Sequence, residues 1–327
     1  MTLRDRVAGT MLAAVVMSAA TGVQAHSLDG VRFTGPLATP GPGTLPKGES
    51  FVQPYWIYTR TDAVYDDSGE RQRLKVHGDS ELLSTVLSAG IHDKLTGEVL
   101  LNSSKASQGA QHSNGYRLGD STVRLRYQLR GGDALEGKMK LAVMLGQSLA
   151  TGRYDRLGDN LLNGQGNGAY RSNLSLLGQQ YLWLPNERPL RWRWMAAWSP
   201  APQQVSLRGR SVYGTDASFR GKVRPGPGLN AALALEYSIN RNWALALDLT
   251  ASQRSGSQLD GTVLDVAGQR QTVHQHGARS RSFSAAPAVE YIFNDQVGLV
   301  VGVQASLPGG RNSDAYVSPQ AAVAVSF

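Results

Sequence analysis

The sequence predicts an all-β fold: an antiparallel transmembrane β-barrel of about twelve strands, with short turns at one end and long loops at the other. Three observations predict it. Apolar residues alternate at period two with small or polar ones along most of the chain, as a strand needs when lipid lies on one side and a lumen on the other. The connections between the alternating runs are either very short or very long, the asymmetry of barrels that cross a membrane. Residues 1–25 have the make-up of a cleaved export signal.

In that leader, Arg4 and Arg6 precede the apolar run 11–20, and Val23-Gln24-Ala25 offers a small residue before cleavage at His26. The run is too short to span a bilayer as a stable helix, and no later segment reaches about 20 uninterrupted apolar residues, which excludes a helical membrane protein. The 327-residue chain has no Cys, so disulfides, thiol nucleophiles and thiolate metal sites are excluded. Its net charge of +8 is scattered. With export, that favours attraction to anionic lipid or an anionic solute over nucleic acid.

Residues 26–49 carry Pro36, Pro40, Pro42 and Pro46 among repeated glycines. Ring-locked residues at that spacing allow no regular element. The segment is expected either in the periplasm or as a plug in the lumen. The barrel proper is assigned to 50–327.

Five short polar turns set the hairpins: His92-Asp93-Lys94 between Ile91 and Leu95, the stretch 129–137, 184–190 around Asn186-Glu187-Arg188, Asn240-Arg241-Asn242 before Trp243, and Asn294-Asp295-Gln296 before Val297. Around them Trp243, Leu245, Leu247 and Leu249 oppose Ala244, Ala246, Asp248 and Thr250, and Val123, Leu125, Tyr127 and Leu129 oppose Thr122, Arg124, Arg126 and Gln128. Five hairpins give ten strands; 51–60 in front and 316–327 behind make twelve, the two outer strands pairing to close the wall. The long polar connections are 61–78, 105–119, 151–171, 200–226, 254–280 and 308–315. Trp183, Trp243, Tyr127, Tyr237, Tyr291 and Phe327 lie beside the short turns, where an interfacial girdle belongs.

The last stretch, 316–327, has the form of an outer-membrane assembly signal, with Gln320, Val323, Val325 and a final Phe327. Outer-membrane lipids and the barrel-assembly machinery are its expected partners. If the apolar faces meet lipid, the lumen receives Arg124, Arg126, Lys138, Lys140, Arg191 and Arg193, against Glu98, Glu236, Asp248 and Glu290. These charges could form opposed walls that orient polar solutes, or pair across a narrow interior and close it. His274-Gln275-His276 places two imidazoles on one side of a strand but has no carboxylate or thiolate beside it in sequence, so no metal site is expected. No cofactor is expected either. The histidines His77, His92, His112, His274 and His276 fall in expected loops and turns, and no G-x-S-x-G occurs, which argues against a membrane lipid hydrolase. The glycine-rich run 164–168 lacks Lys and a following helix, so it reads as a flexible loop.

Several stretches in order resemble the outer-membrane transporter family associated with the meta-pathway of phenol degradation. They are Gly43-Thr44-Leu45-Pro46-Lys47-Gly48-Glu49 leading into Gln53-Pro54-Tyr55, His92-Asp93-Lys94-Leu95, Ser148-Leu149-Ala150-Thr151-Gly152, and Ser306-Leu307-Pro308-Gly309-Gly310-Arg311-Asn312. The family usually has Pro where Ala150 stands. The resemblance implies an outer-membrane channel passing small, often hydrophobic or aromatic compounds by diffusion, and it supplies no catalytic residues. The alternative is a closed barrel with a structural or surface-binding role.

Overall fold

The computed structural model describes residue 31 and residues 33–327; the expected export signal, 1–25, lies outside the described residues. Twelve antiparallel strands form one closed sheet: β1 Ser50–Tyr65, β2 Arg71–His92, β3 Leu95–Gln108, β4 Ser121–Arg130, β5 Lys140–Leu149, β6 Arg171–Trp183, β7 Pro189–Ser199, β8 Gly228–Ser238, β9 Trp243–Arg254, β10 Ser280–Ile292, β11 Val297–Arg311 and β12 Ser313–Ser326. Each strand pairs with its sequence neighbours, and β1 pairs with β12 through Phe51↔Ser326, Tyr55↔Ala322 and Ile57↔Gln320. The seam is sealed by two further backbone bonds, Ser50 N–H to the Phe327 carbonyl (3.2 Å) and Phe327 N–H to the Ser50 carbonyl (2.9 Å). A barrel has no open edge, so every strand's backbone groups find partners where lipid offers none.

The period-two pattern sets the two faces. On β9 Ala244, Ala246 and Asp248 are buried while Trp243, Leu245 and Leu249 are exposed. On β4 Val123, Leu125, Tyr127 and Leu129 all point outward and are exposed. β12 behaves likewise, with Ser318, Gln320, Ala322 and Ala324 buried and Val317 and Val323 exposed, as is Phe327 just beyond it. At the short-turn end the expected girdle includes a ring cluster, Trp243 and Tyr291 at 4.7 Å and Tyr291 and Phe293 at 4.8 Å between centroids.

Four of the five short turns fall where the sequence places them, and the one expected at 129–137 lies at 131–139, between β4 and β5. The long connections differ. Residues 61–78 are mostly strand: β1 and β2 run on past the barrel and turn at 66–70, so His77 lies on a strand. Residues 308–315 form a tight turn at Asn312 (φ 46°), not a loop. Residues 200–226 and 254–280 contain four further strands, Val205–Arg208, Arg220–Arg224, Gln258–Leu264 and Arg270–His276, joined as a separate antiparallel sheet. Val205, Leu207, Phe219, Val223 and Leu259 bury its inner face with Ala169, and Tyr154 and Tyr213 pack against them. The glycine-rich run 164–168 is held in this cap: Gln165 donates to the Leu162 carbonyl at 2.9 Å, and the Tyr213 hydroxyl donates to the Asn167 carbonyl at 2.6 Å.

Candidate functional site: the barrel lumen

The lumen is built from the inward residues of the strands, and its charges meet across neighbouring strands. Glu98 on β3 lies opposite Arg124 on β4 in the ladder. Its carboxylate takes a hydrogen bond from the Arg126 guanidinium and lies 3.7 Å from the Arg124 Nε. Glu236 on β8 lies opposite Arg191 on β7. It accepts Arg191 Nε at 2.8 Å and Nη2 at 2.5 Å, with Arg193 Nε 3.2 Å away. Arg191 on Glu236 is a guanidinium fork on a buried carboxylate, the geometry that best offsets loss of hydration, whereas Glu98 is met by one nitrogen from each of two arginines. Glu98 and Glu236 are thus neutralised by arginines of the adjacent strand. Lys140 shares the inward side of β5 with Ala142 and Met144. Lys138 does not reach the lumen. It lies in the β4–β5 turn, bridged to Asp133, and is paired with Glu136 at 55% side-chain exposure, because the strand starts after the turn glycine Gly137 (φ 63°).

The other two acids have a different partner: the Pro/Gly segment, which lies inside the barrel. The Glu290 carboxylate accepts the backbone N–H groups of Thr34 (2.5 Å) and Gly35 (3.1 Å). Asp248 accepts those of Leu37 (2.9 Å), Ala38 (3.3 Å) and Thr39 (2.9 Å), and the Thr39 hydroxyl at 2.6 Å. A segment that cannot form helix or sheet still needs acceptors for its buried N–H groups, and two lumenal carboxylates supply them. Leu37 fills a cluster with Ala246, Ala286, Ala288, Val300 and Ala322, against Tyr55. Phe33 sits 4.2 Å from the Arg191 guanidinium, a cation–π contact. Further along, Arg126 Nη1 donates to the Gly43 carbonyl at 2.7 Å and Leu45 N–H to Thr96 Oγ1 at 2.8 Å. The segment leaves beside the β2–β3 turn, where Gly48 N–H bonds the Gly90 carbonyl at 3.0 Å. Gly90 has to be glycine, since a Cβ there would stand 1.9 Å from the Pro46 carbonyl oxygen.

What remains of the interior is a cavity of about 570 Å³, bounded by residues 34–45 on one side and by Gln53, Tyr55, Glu98, Arg124, Arg126 and Arg193 among others on the barrel side. Sequence reasoning missed Leu37, Thr39, Tyr55 and Thr96 as contributors. The available signal was the run of inward alanines on β9, β10 and β12, too small to fill a barrel by themselves.

The described residues contain no cluster of three or more His, Asp or Glu side chains that could hold a metal. His274 and His77 each pair with an aspartate, Asp260 at 2.7 Å and Asp79 at 3.2 Å.

No protein-family model and no curated protein matches the chain. Solved structures do. An outer-membrane channel of Pseudomonas putida F1 superposes over 89% of this chain and 100% of its own, at 17% identity and a TM-score of 0.61. The fold is an outer-membrane barrel. The translocator domain of the autotransporter NalP from Neisseria meningitidis (12% identity, 86% of this chain and 90% of that one, TM-score 0.44) and the Pseudomonas putida toluene transporter TodX (12%, 86% and 90%, TM-score 0.35) are more distant.

Proposed function

We propose that the chain is an outer-membrane channel through which small molecules diffuse, constricted at its short-turn, periplasmic end by residues 33–46. One observation carries this reading: the closed wall encloses a cavity of mixed polar and apolar lining that side chains of the wall alone do not fill, and a separable piece of chain occupies the rest. A barrel of about eight strands is filled by its own side chains, and diameter grows with strand number, so twelve strands leave room inside. The likeness to the P. putida channel agrees in direction. The sequence resemblance to the phenol meta-pathway transporters extends the reading to hydrophobic or aromatic solutes, which suits a cavity where Tyr55, Ile57 and Leu82 stand beside guanidiniums. The outward belt of leucines and valines faces lipid, the long-loop end faces the exterior, and no metal or cofactor takes part.

A second reading, a closed barrel with a structural or surface-binding role, is favoured by the same segment lying across the lumen. Planar-bilayer recording of the full chain and of a variant lacking residues 33–45 separates the two. Stepwise conductance that rises on deletion supports the channel. Silence from both proteins, correctly inserted, supports the closed barrel.

A further inference from the structure

At the long-loop end the exposed face of the four-stranded sheet is strongly basic. Arg208 and Arg220 are direct cross-strand partners, and like charges so placed repel. A third arginine is brought beside them by the backbone, Arg156 N–H donating to the Arg208 carbonyl at 3.1 Å. Arg156 itself sits in the left-handed region at φ 52°, a conformation that costs free energy and recurs where a side chain must be aimed. Arg210 follows, since Leu157 N–H bonds its carbonyl at 3.0 Å, and the Arg153 guanidinium donates to the Arg156 carbonyl at the rim. Together Arg156, Arg208, Arg210 and Arg220 line a concavity of about 470 Å³. Among the described residues the one ion pair in it is Arg210 with Asp159, at 2.8 Å, and the Asp159 side chain is fully exposed. The rest of the lining is glycine and alanine.

We propose that this concavity binds a phosphate group. Four arginines line one volume with Asp159 as the one carboxylate among the lining residues, and Asp155 beside it accepts the Arg208 N–H at 3.0 Å; the surplus of positive charge is what a multivalent oxyanion satisfies. The lining has no aromatic ring and no aliphatic side chain longer than alanine, so the site takes a compact anion, not the body of an aromatic or fatty carboxylate. Two sources share this chemistry, a phosphorylated sugar headgroup of the outer leaflet and free phosphate. The inference does not depend on conduction through the lumen, since binding is read on the detergent-solubilised full chain.

The test is titration calorimetry with inorganic pyrophosphate, diphosphoryl lipid A, dephosphorylated lipid A and benzoate. Wild type is compared with Arg208→Ser/Arg220→Ser and with Arg156→Gln, which lies outside the sheet. Expected are pyrophosphate or lipid A binding that weakens steeply with salt, and a loss of about tenfold or more in the double variant, roughly 1.4 kcal/mol. A smaller loss is expected in Arg156→Gln. Tighter lipid A than pyrophosphate assigns the headgroup; the reverse assigns free phosphate. Without ligand the double variant should unfold at the same temperature as wild type or higher, because a like-charge pair is gone. Pyrophosphate should raise the unfolding temperature of wild type most, of Arg156→Gln less and of the double variant least. Equal binding of dephosphorylated lipid A or benzoate, binding unchanged in both variants, or no binding by either phosphate probe overturns the proposal.

Discussion

The two sides of the lumen use the same side chain in opposite ways. On the β3–β4 side Glu98 is held by arginines of the adjacent strand, and at the β7–β8 step Glu236 is held likewise. These carboxylates belong to the wall. Across the β9–β10 side Asp248 and Glu290 are held by backbone amides of residues 34–39, over a floor of Ala244, Ala246, Ala286 and Ala288. Those carboxylates belong to the segment. An arginine fork ties two strands permanently, whereas an amide partner leaves when its stretch of chain leaves, and water can take its place. The lumen is therefore rigid on one side and exchangeable on the other.

The largest test of that difference is removal of residues 33–45. The wall should persist, with heat-modifiable gel mobility retained, while unitary conductance in a bilayer becomes several times that of the full chain. Unchanged conductance would mean the β9–β10 side closes on its own. Next, Glu236→Gln strands Arg191 and Arg193 without a full negative charge. Removing one partner of a buried ion pair costs about 3 kcal/mol or more, so thermal unfolding of the barrel should fall clearly, with the segment still in place by protease protection. A milder probe is Gly298→Val. A Cβ at Gly298 meets side-chain atoms of Thr34, the nearest at 2.4 Å, and no barrel atom among its closest neighbours. It should push the segment away and raise open probability with unfolding temperature nearly unchanged; a fall in stability matching that of Glu236→Gln would merge the two sides into one.

The smallest effect lies outside the lumen, at the tip of the β1–β2 hairpin. The Ser68 hydroxyl, at 2.6 Å, and Gln72 Nε2, at 2.9 Å, donate to Asp66 and hold its carboxyl down to about 2 from an ordinary 3.8. Because the folded value is depressed, the contribution is complete above the ordinary value and is lost as pH falls through about 2. Pepsin cleavage at 66–70 should rise on acidification within that window, while the seam and the lumen stay intact. Cleavage that already rises nearer neutral pH would place the control elsewhere.

The wall was legible because alternation is a local property: Trp243 to Thr250 can be sorted by eye, and the turn at 240–242 needs no tertiary information. The antiparallel pairing of β1 with β12 followed from an even strand count. Lys138 was misplaced because parity says which face a strand residue takes but not where the strand begins, and Gly137 delays it. The cap of loop strands was hidden because Val205–Arg208 and Arg220–Arg224 are only four and five residues long and become strands by pairing with a distant loop, Arg220↔Thr262. The partners of the lumenal charges were not readable. Glu236 and Arg191 meet through the ladder, and Asp248 meets main-chain amides that no side-chain pattern announces.

The seam between Ser50 and Phe327 has a consequence for assembly. Residues 33–46 are joined directly to β1, the strand that closes the ring, so sealing the wall and seating the segment become one event. Once the seam has zipped, the segment can enter or leave only by sliding along the axis, without reopening the sheet. Before β12 arrives, β1 and β11 both expose unpaired strand edges, which lipid cannot solvate. Shortened chains would thus expose a raw edge and an empty interior together, a double mark by which incomplete copies can be told from finished ones.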